Sequence, residues 1–355
     1  MIDLKEYGYD GPLEPVSGLL PGRVTEQHRD RYKAVCLRGE VWAAPTGSFF
    51  YSAGQQQDFP CVGDFVLLQY NETGDSRITG LLPRRSQFSR SDFGGHKAEY
   101  AKGVQQQVVA ANFDYVFILS SLNRDLRLSR LERYLSAALS SGGQPVVLLT
   151  KADLCFEVQP VLEEVRLALP GAPVYALSSR TGAGMEELER YLLPGKTAVF
   201  LGMSGVGKSS LLNALAGQEV MKVQGIREDD SRGRHTTTHR QLFRLPGGAL
   251  VIDTPGMREL GLWDADEGIG SAFSDVEALF PLCRFPDCHH QSEPGCAVLA
   301  ALESGELSRA RWEQYLAQKR ENAFTAEKSE YLQEKRAWQR SLSKQIRQMK
   351  KGPKF

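Results

Sequence analysis

Two stretches decide the fold, LLTKADL (Leu148–Leu154) and LGMSGVGKSS (Leu201–Ser210). Each closes an apolar run and opens a polar loop. The second matches G-x-x-x-x-G-K-[ST] from Gly202 to Ser209, after an expected strand (Ala198–Leu201) and before an expected helix (Ser210–Leu215). In that setting Gly202, Gly205 and Gly207 let the backbone curl until its N–H groups face phosphate oxygens at a helix N-terminus. The segment Gly202, Met203, Ser204, Gly205, Val206, Gly207, Lys208, Ser209, Ser210 is therefore read as a phosphate loop. Lys208 reaches the β- and γ-phosphates, and the Ser209 hydroxyl binds Mg²⁺. In the first stretch, Thr150-Lys151-Ala152-Asp153 reads a guanine base. Asp153 accepts hydrogen bonds from N1–H and the exocyclic amine, and the Lys151 stem packs along the ring. Adenine lacks that donor pair, so the site rejects ATP. SSRTGAG follows the apolar run VYAL and supplies Ser178 and Ser179, whose backbone meets the guanine carbonyl.

In an ordinary GTPase the base-reading motif comes after the phosphate loop; here it comes before. YVFILSS, PVVLLTK, VYALSS, TAVFLGMS and ALVIDTPG are apolar runs of the kind buried on both faces of a parallel sheet. RLSRLERYLSAAL between the first two has helical periodicity and makes a βαβ unit with them. Ligands bind at the strand ends of such sheets. A sheet keeps its packed core when the chain is cut elsewhere and the old termini are joined. The expectation is a circularly permuted GTPase domain. DTPG (Asp253–Gly256) ends a neighbouring strand, with Asp253 holding the Mg²⁺ water shell and the Gly256 N–H approaching a γ-phosphate. GIREDDSRGRHTTTHR before it is too polar for a core and reads as a switch loop that orders with γ-phosphate and Mg²⁺. One of Thr236, Thr237 and Thr238 then binds Mg²⁺, and Thr237 is chosen.

CRFPDCHHQSEPGC spaces Cys283, Cys288, His290 and Cys296 for a closed Zn²⁺ site of structural type, with His289 as the competing imidazole. Cys36, Cys61 and Cys155 read as small buried hydrophobes. YKAVCL, EVWAAP, DFVLLQY and SRITGLL, with NETGD as a turn, suggest a compact β-barrel. The OB-fold is one candidate. PRRSQFSRSDFGGHKAEYAKG is basic and interleaved with aromatics. Arg84, Arg85, Arg90, Lys97 and Lys102 suit phosphates while Phe88, Phe93 and Tyr100 suit bases, although a solvated linker has the same texture. The tail from Lys328 to Phe355 carries nine Lys or Arg against two Glu, fitting either nucleic acid or a solvated helix. Formal net charge is +0, so a basic surface has to be local. No apolar run approaches the ~20 residues that span a bilayer, and MIDLKEYGYDG lacks a secretory signal's apolar core, so a cytoplasmic protein is expected.

Taken together, TKAD, the phosphate loop, RHTTT, DTPG and the Cys/Cys/His/Cys cluster, in that order, resemble the ribosome small-subunit-dependent GTPases of bacteria (the RsgA, YjeQ or YloQ family). The resemblance covers nearly the whole chain. It implies an α/β architecture in three parts: an N-terminal OB-fold RNA-binding barrel (1–83), a circularly permuted GTPase domain (108–265) after a basic linker (84–107), and a C-terminal helical zinc-binding domain with the basic tail (266–355). It further implies GTP hydrolysis to GDP and phosphate, stimulated by the small ribosomal subunit, a role in late subunit maturation, and contacts to 16S rRNA. No coiled-coil heptads demand a dimer, and a monomer is expected. Met257 stands where many GTPases place a water-orienting Gln. An apolar side chain cannot orient water, and the resemblance points to His235 of RHTTT instead. A nucleotide-dependent binding module, with hydrolysis incidental, is the competing reading.

Overall fold

The computed structural model describes residues 2–13, 18–28, 31–53, 56–92, 105–122, 126–221, 240–253 and 265–324. His235, Thr237 and Gly256, together with Thr236, Thr238, Met257, Phe93, Lys97, Tyr100, Lys102 and the basic tail, lie outside the described residues.

The N-terminal strands are β1 (Leu20–Gln27), β2 (Tyr32–Cys36), β3 (Gly39–Pro45), β4 (Phe65–Gln69) and β5 (Ser76–Leu81), with a short helix α1 (Gly47–Ser52) after β3. They follow the order β1-β2-β3-β5-β4, and β4 pairs back onto β1, which closes a five-stranded barrel of the OB type. Val24, Ala34, Cys36, Ala43, Val66, Leu68 and Ile78 fill it, each fully buried. β1 is the strand least visible in the sequence, because LPGRVTEQ opens with Pro21 and Gly22. Gly22 is needed for packing: a Cβ there would lie 2.6 Å from Leu68 Cδ1 and 3.1 Å from Val35 O.

Next comes a hairpin of β6 (Gln87–Asp92) and β7 (Gln105–Ala111), antiparallel with Phe88 opposite Ala110. Residues 87–92 and 105–107 of the stretch read as a basic linker are thus strand. Its first cation is also not free for phosphates. Arg84 donates from Nε and Nη2 to the two oxygens of Asp64, each at 2.8 Å, and from Nη1 and Nη2 to Gln57 O and Phe59 O. Phe88 is buried and stacks on Phe113 at 5.0 Å, so it belongs to the core and does not offer a face to a base.

The remaining strands are β8 (Tyr115–Ser121), β9 (Gln144–Thr150), β10 (Val174–Ala176), β11 (Thr197–Leu201), β12 (Arg240–Arg244) and β13 (Leu250–Asp253). Their order is β10-β9-β8-β11-β13-β12, parallel except for β12. The side chains alternate between two cores, which is why the strands read as continuous apolar runs. Val147, Leu149, Ile118, Val199 and Leu201 face helices α2 (Leu128–Ser140) and α3 (Val158–Ala168). Val146, Leu148, Phe117 and Phe200 face α4 (Lys208–Ala216) through Leu211 and Leu212. Cys36 and Cys61 are buried as expected, whereas Cys155 is only half-buried.

After the sheet come α5 (Asp266–Ala272), α6 (Ser274–Glu277), α7 (Ala297–Ser304) and a helix over residues 309–324. Arg311 on that last helix fastens this unit to α2. Its guanidinium donates to Glu132 Oε1 at 2.8 Å, to Asp275 Oδ1 at 2.8 Å and to Ala272 O at 2.7 Å, and lies 4.0 Å from the Phe273 ring centroid.

Arg23 does the same for the barrel. It is fully buried, and its guanidinium donates to Tyr7 O, to Gly63 O at 3.3 Å, to Asn112 O at 2.8 Å and to Thr197 Oγ1 at 3.0 Å. These partners come from the N-terminal turn, the barrel, the β7–β8 connection and the start of β11. Burial drives its pKa down to about 9, so at neutral pH it stays charged, and Nε, Nη1 and Nη2 each donate to a neutral acceptor. Removing the head group orphans buried carbonyls and leaves a void. Arg23→Ala should therefore cost about 3 kcal/mol of stability. Chemical denaturation followed by tryptophan fluorescence measures this, and a loss under about 0.5 kcal/mol would contradict the assigned role.

Candidate nucleotide site and metal cluster

The nucleotide site is assembled at the carboxyl ends of β9 and β11, with β8 between them. β11 runs straight into the phosphate loop. Gly202 takes φ +155, and a Cβ there would lie 2.5 Å from Leu119 O, so only glycine lets the loop leave the strand this close to β8. Gly205 and Gly207 take φ +80 and +100. Lys208 Nζ donates to Gly202 O and Met203 O, each at 2.6 Å, which holds the loop curled from inside. Val206 is buried under the loop, while Ser204 and Gly205 are exposed at its rim. Ser209 and Ser210 stand half-buried in the first turn of α4.

β9 delivers the base-reading residues. The Thr150 hydroxyl donates to Val206 O and is shared with Ser120 O at 3.3 Å, joining the guanine strand to the phosphate loop. Lys151 then takes φ +59, a backbone state uncommon for a residue with a Cβ. Such strain concentrates at ligand sites. The turn is pinned by the Ala152 N–H, which donates to Leu177 O at 3.1 Å. Asp153 Oδ1 accepts from Ser178 Oγ at 2.6 Å. Ser178 Oγ in turn accepts from the backbone N–H groups of Arg180 and Thr181 at 3.3 and 3.2 Å. Sequence reasoning assigned Ser178 through its backbone; its hydroxyl also aims the aspartate, a role only the fold reveals. Among the described residues, Oδ2 of Asp153 has only the distant Nη1 of Arg180, 4.0 Å away. Ser179 is half-buried beside it. Asp253 ends β13, the parallel neighbour of β11 on its other side, and is 9% exposed, so the strand that carries it ends beside the one that leads into the phosphate loop.

A second site lies in the C-terminal unit. Cys283, Cys288, His290 and Cys296 bring one ligand atom each within 4.8 Å of one another, and His289 is not in the group. His290 Nδ1 stands 3.5 Å from the sulfurs of both Cys283 and Cys296. A tetrahedral ion with Zn–S of ~2.3 Å and Zn–N of ~2.0 Å sets sulfur and nitrogen about 3.5 Å apart, so the donor set fits. Burial lowers the His290 pKa and keeps the ring neutral, the form that binds metal. For Cys283, burial opposes ionisation, but the N–H groups of Ala297 and Val298 at the start of α7 outweigh it and lower the thiol's pKa. Cys288, half-buried and beside two other thiols, is raised to about 11 by desolvation foremost. Glu293 braces the connecting loop: its carboxylate accepts from the N–H groups of His289, Gln291 and Ser292 at 2.8, 2.8 and 2.9 Å. Those backbone bonds, that of Ser292 foremost, depress its pKa to about 2. Phe280 stacks on His290 at 4.4 Å and ties the cluster to Trp312 and Tyr315.

The Thr150 bridge makes a testable demand. Thr150→Val keeps the shape but orphans the Val206 carbonyl, and should cost about 1–2 kcal/mol in stability. Guanine-nucleotide affinity should fall with it, and Thr150→Ser should restore most of both. Calorimetry on the two variants checks this; equal affinity in Thr150→Val would show that the bridge does not shape the site.

The family model described as RsgA GTPase matches residues 81–263. A protein of Listeria monocytogenes named small ribosomal subunit biogenesis GTPase RsgA 2 is 45% identical over 308 residues, 87% of this chain and 85% of that one. Its namesake in Lactiplantibacillus plantarum is 41% identical over 337 residues, covering 94% of this chain and 93% of its own. Among solved structures, YjeQ from Thermotoga maritima aligns with TM-score 0.60 and 27% identity, over 84% of this chain and 96% of its own. The circularly permuted GTPase YloQ aligns with TM-score 0.58 and 25% identity, over 88% and 96%. With the base-reading strand ahead of the phosphate loop and a barrel before both, the chain belongs to the RsgA family of circularly permuted GTPases.

Proposed function

We propose that this protein is a GTP phosphohydrolase that binds the small (30S) ribosomal subunit and acts in its late maturation, with hydrolysis stimulated by the subunit. The observation that carries the reading is the Thr150 bridge, which sets a guanine-reading aspartate and a phosphate loop at one sheet edge in permuted order. The relatives' names supply the ribosomal subunit as partner.

In this reading Asp153 holds the base, Lys151 covers it, and the loop from Gly202 to Ser210 wraps the phosphates. Ser209 and Thr237 would hold Mg²⁺ with Asp253 nearby, and the ion would supply positive charge to offset that developing on the phosphates. Gly256 approaches the γ-phosphate and His235 positions the attacking water. The four-ligand cluster holds one Zn²⁺ that stabilises its own small domain. Contact with 16S rRNA is supported on the barrel, where Trp42 is 39% exposed with the Arg31 guanidinium 4.9 Å from its ring centroid. An exposed aromatic beside a cation suits an unpaired base. The protein acts in the cytoplasm as a monomer. No helix among the described residues is long and apolar enough to cross a membrane.

Phosphate release measured with and without purified small subunits tests the activity, and subunit addition should accelerate it. His235→Ala should keep GTP affinity and subunit binding but lose roughly 10²–10⁴-fold of stimulated turnover, the usual contribution of a general acid–base group. Stimulated turnover retained within a factor of about two would remove His235 from the mechanism. Absence of any stimulation would favour a nucleotide-dependent binding module.

A further inference from the structure

Beside the phosphate loop lies a cavity of about 90 Å³. Its walls include Ser120 at the end of β8, Arg130, Leu131 and Tyr134 on α2, and Met203 and Ser204 of the loop. The volume far exceeds the ~10–15 Å³ that one water needs, and it suits a small tetrahedral anion. None of the residues that line it is acidic. The topology explains its position: β8 and β11 are parallel neighbours, so α2, which follows β8, starts at the sheet edge where β11 enters the loop.

Arg130 is the unusual member. It is half-buried, and among the described residues its guanidinium makes no hydrogen bond or ion pair. It also sits in the first turn of α2, where no acid stands and the N-cap residue, Arg127, makes no side-chain cap. Helix N-termini carry partial positive charge and favour anions, so a cation there is misplaced unless an anion joins it. Partial burial makes the unpaired charge costlier still. By contrast Arg23, Arg84 and Arg311 have Nε, Nη1 and Nη2 all engaged with named acceptors. Ser120, Ser204 and Tyr134, each with a hydroxyl, also line the same space.

We propose that this cavity is a phosphate subsite annexed to the nucleotide site, with Arg130 as its cation. The inference rests on the GTPase reading. Its chemistry is that of a phosphate oxyanion, from one of two sources: the γ-phosphate of bound GTP, or the orthophosphate that hydrolysis frees next to the loop. In the second case Arg130 holds the leaving product beside GDP before it reaches solvent.

Calorimetry with Mg²⁺ on wild type, Arg130→Gln and Arg130→Lys separates the cases, using GDP, a non-hydrolysable GTP analogue, and inorganic phosphate added to the GDP complex. GDP affinity should be unchanged in all three proteins. In Arg130→Gln, affinity for the analogue or for inorganic phosphate should drop about tenfold or more, the usual loss of a charge-assisted hydrogen bond, and Lys should restore most of it. A loss with the analogue identifies the γ-phosphate as occupant; a loss confined to inorganic phosphate identifies the product. Unchanged affinities throughout would overturn the subsite, as would a parallel fall in GDP affinity, which would make Arg130 a structural residue. Wild-type protein that binds no guanine nucleotide would overturn the GTPase reading itself, and the subsite with it.

Discussion

A single hydroxyl, that of Thr150, joins two loops that the chain order keeps more than fifty residues apart. Its bond to Val206 O locks the end of the guanine strand against the phosphate loop, across the intervening β8. The arrangement depends on a sheet whose two faces are covered, since exposure of either face would let the strands slide and misalign the half-sites. Permutation leaves this geometry untouched because it changes connections and not neighbours.

The flanking units are docked by buried guanidiniums. Arg23 ties the barrel to the start of β11, at the edge of the sheet opposite the phosphate loop. Arg311 ties the metal-binding unit to α2 through Glu132, whose pKa burial raises against the pull of Arg311. The two contacts therefore bear on β11, which leads into the phosphate loop, and on α2, which follows β8 beside it. At Gly63 a Cβ would stand 2.1 Å from Ala111 O, so the barrel's approach to β7 is as close as the backbone permits. The barrel and the metal-binding unit are thus each packed against the sheet domain through buried contacts among the described residues.

Much of this was legible in the sequence. Gly202, Lys208 and Asp153 stood in motifs whose chemistry dictates backbone shape, and Val146 to Leu149 or Phe117 to Leu119 announced a two-faced core by being apolar without a break. The cysteine and histidine spacing foretold a four-ligand cluster. What was not legible needed long-range geometry. Pro21, Gly22 and Arg23 look like a turn, yet they lie in the strand that closes the barrel. Arg84 and Phe88 look like an RNA-binding pair, but Asp64 and Phe113, distant in sequence, take them for the interior. Glu293 gave no signal because its partners are backbone groups.

Asp153, held by Ser178 at the end of β9, is placed to read guanine beside the phosphate loop. Asp153→Asn presents an amide where the carboxylate stood, which no longer suits the guanine amine and instead matches the carbonyl that xanthine carries there. Calorimetric titration with GTP and XTP is the most direct test. The variant should lose GTP affinity and gain XTP affinity, reversing the preference. An unchanged preference for GTP would contradict it.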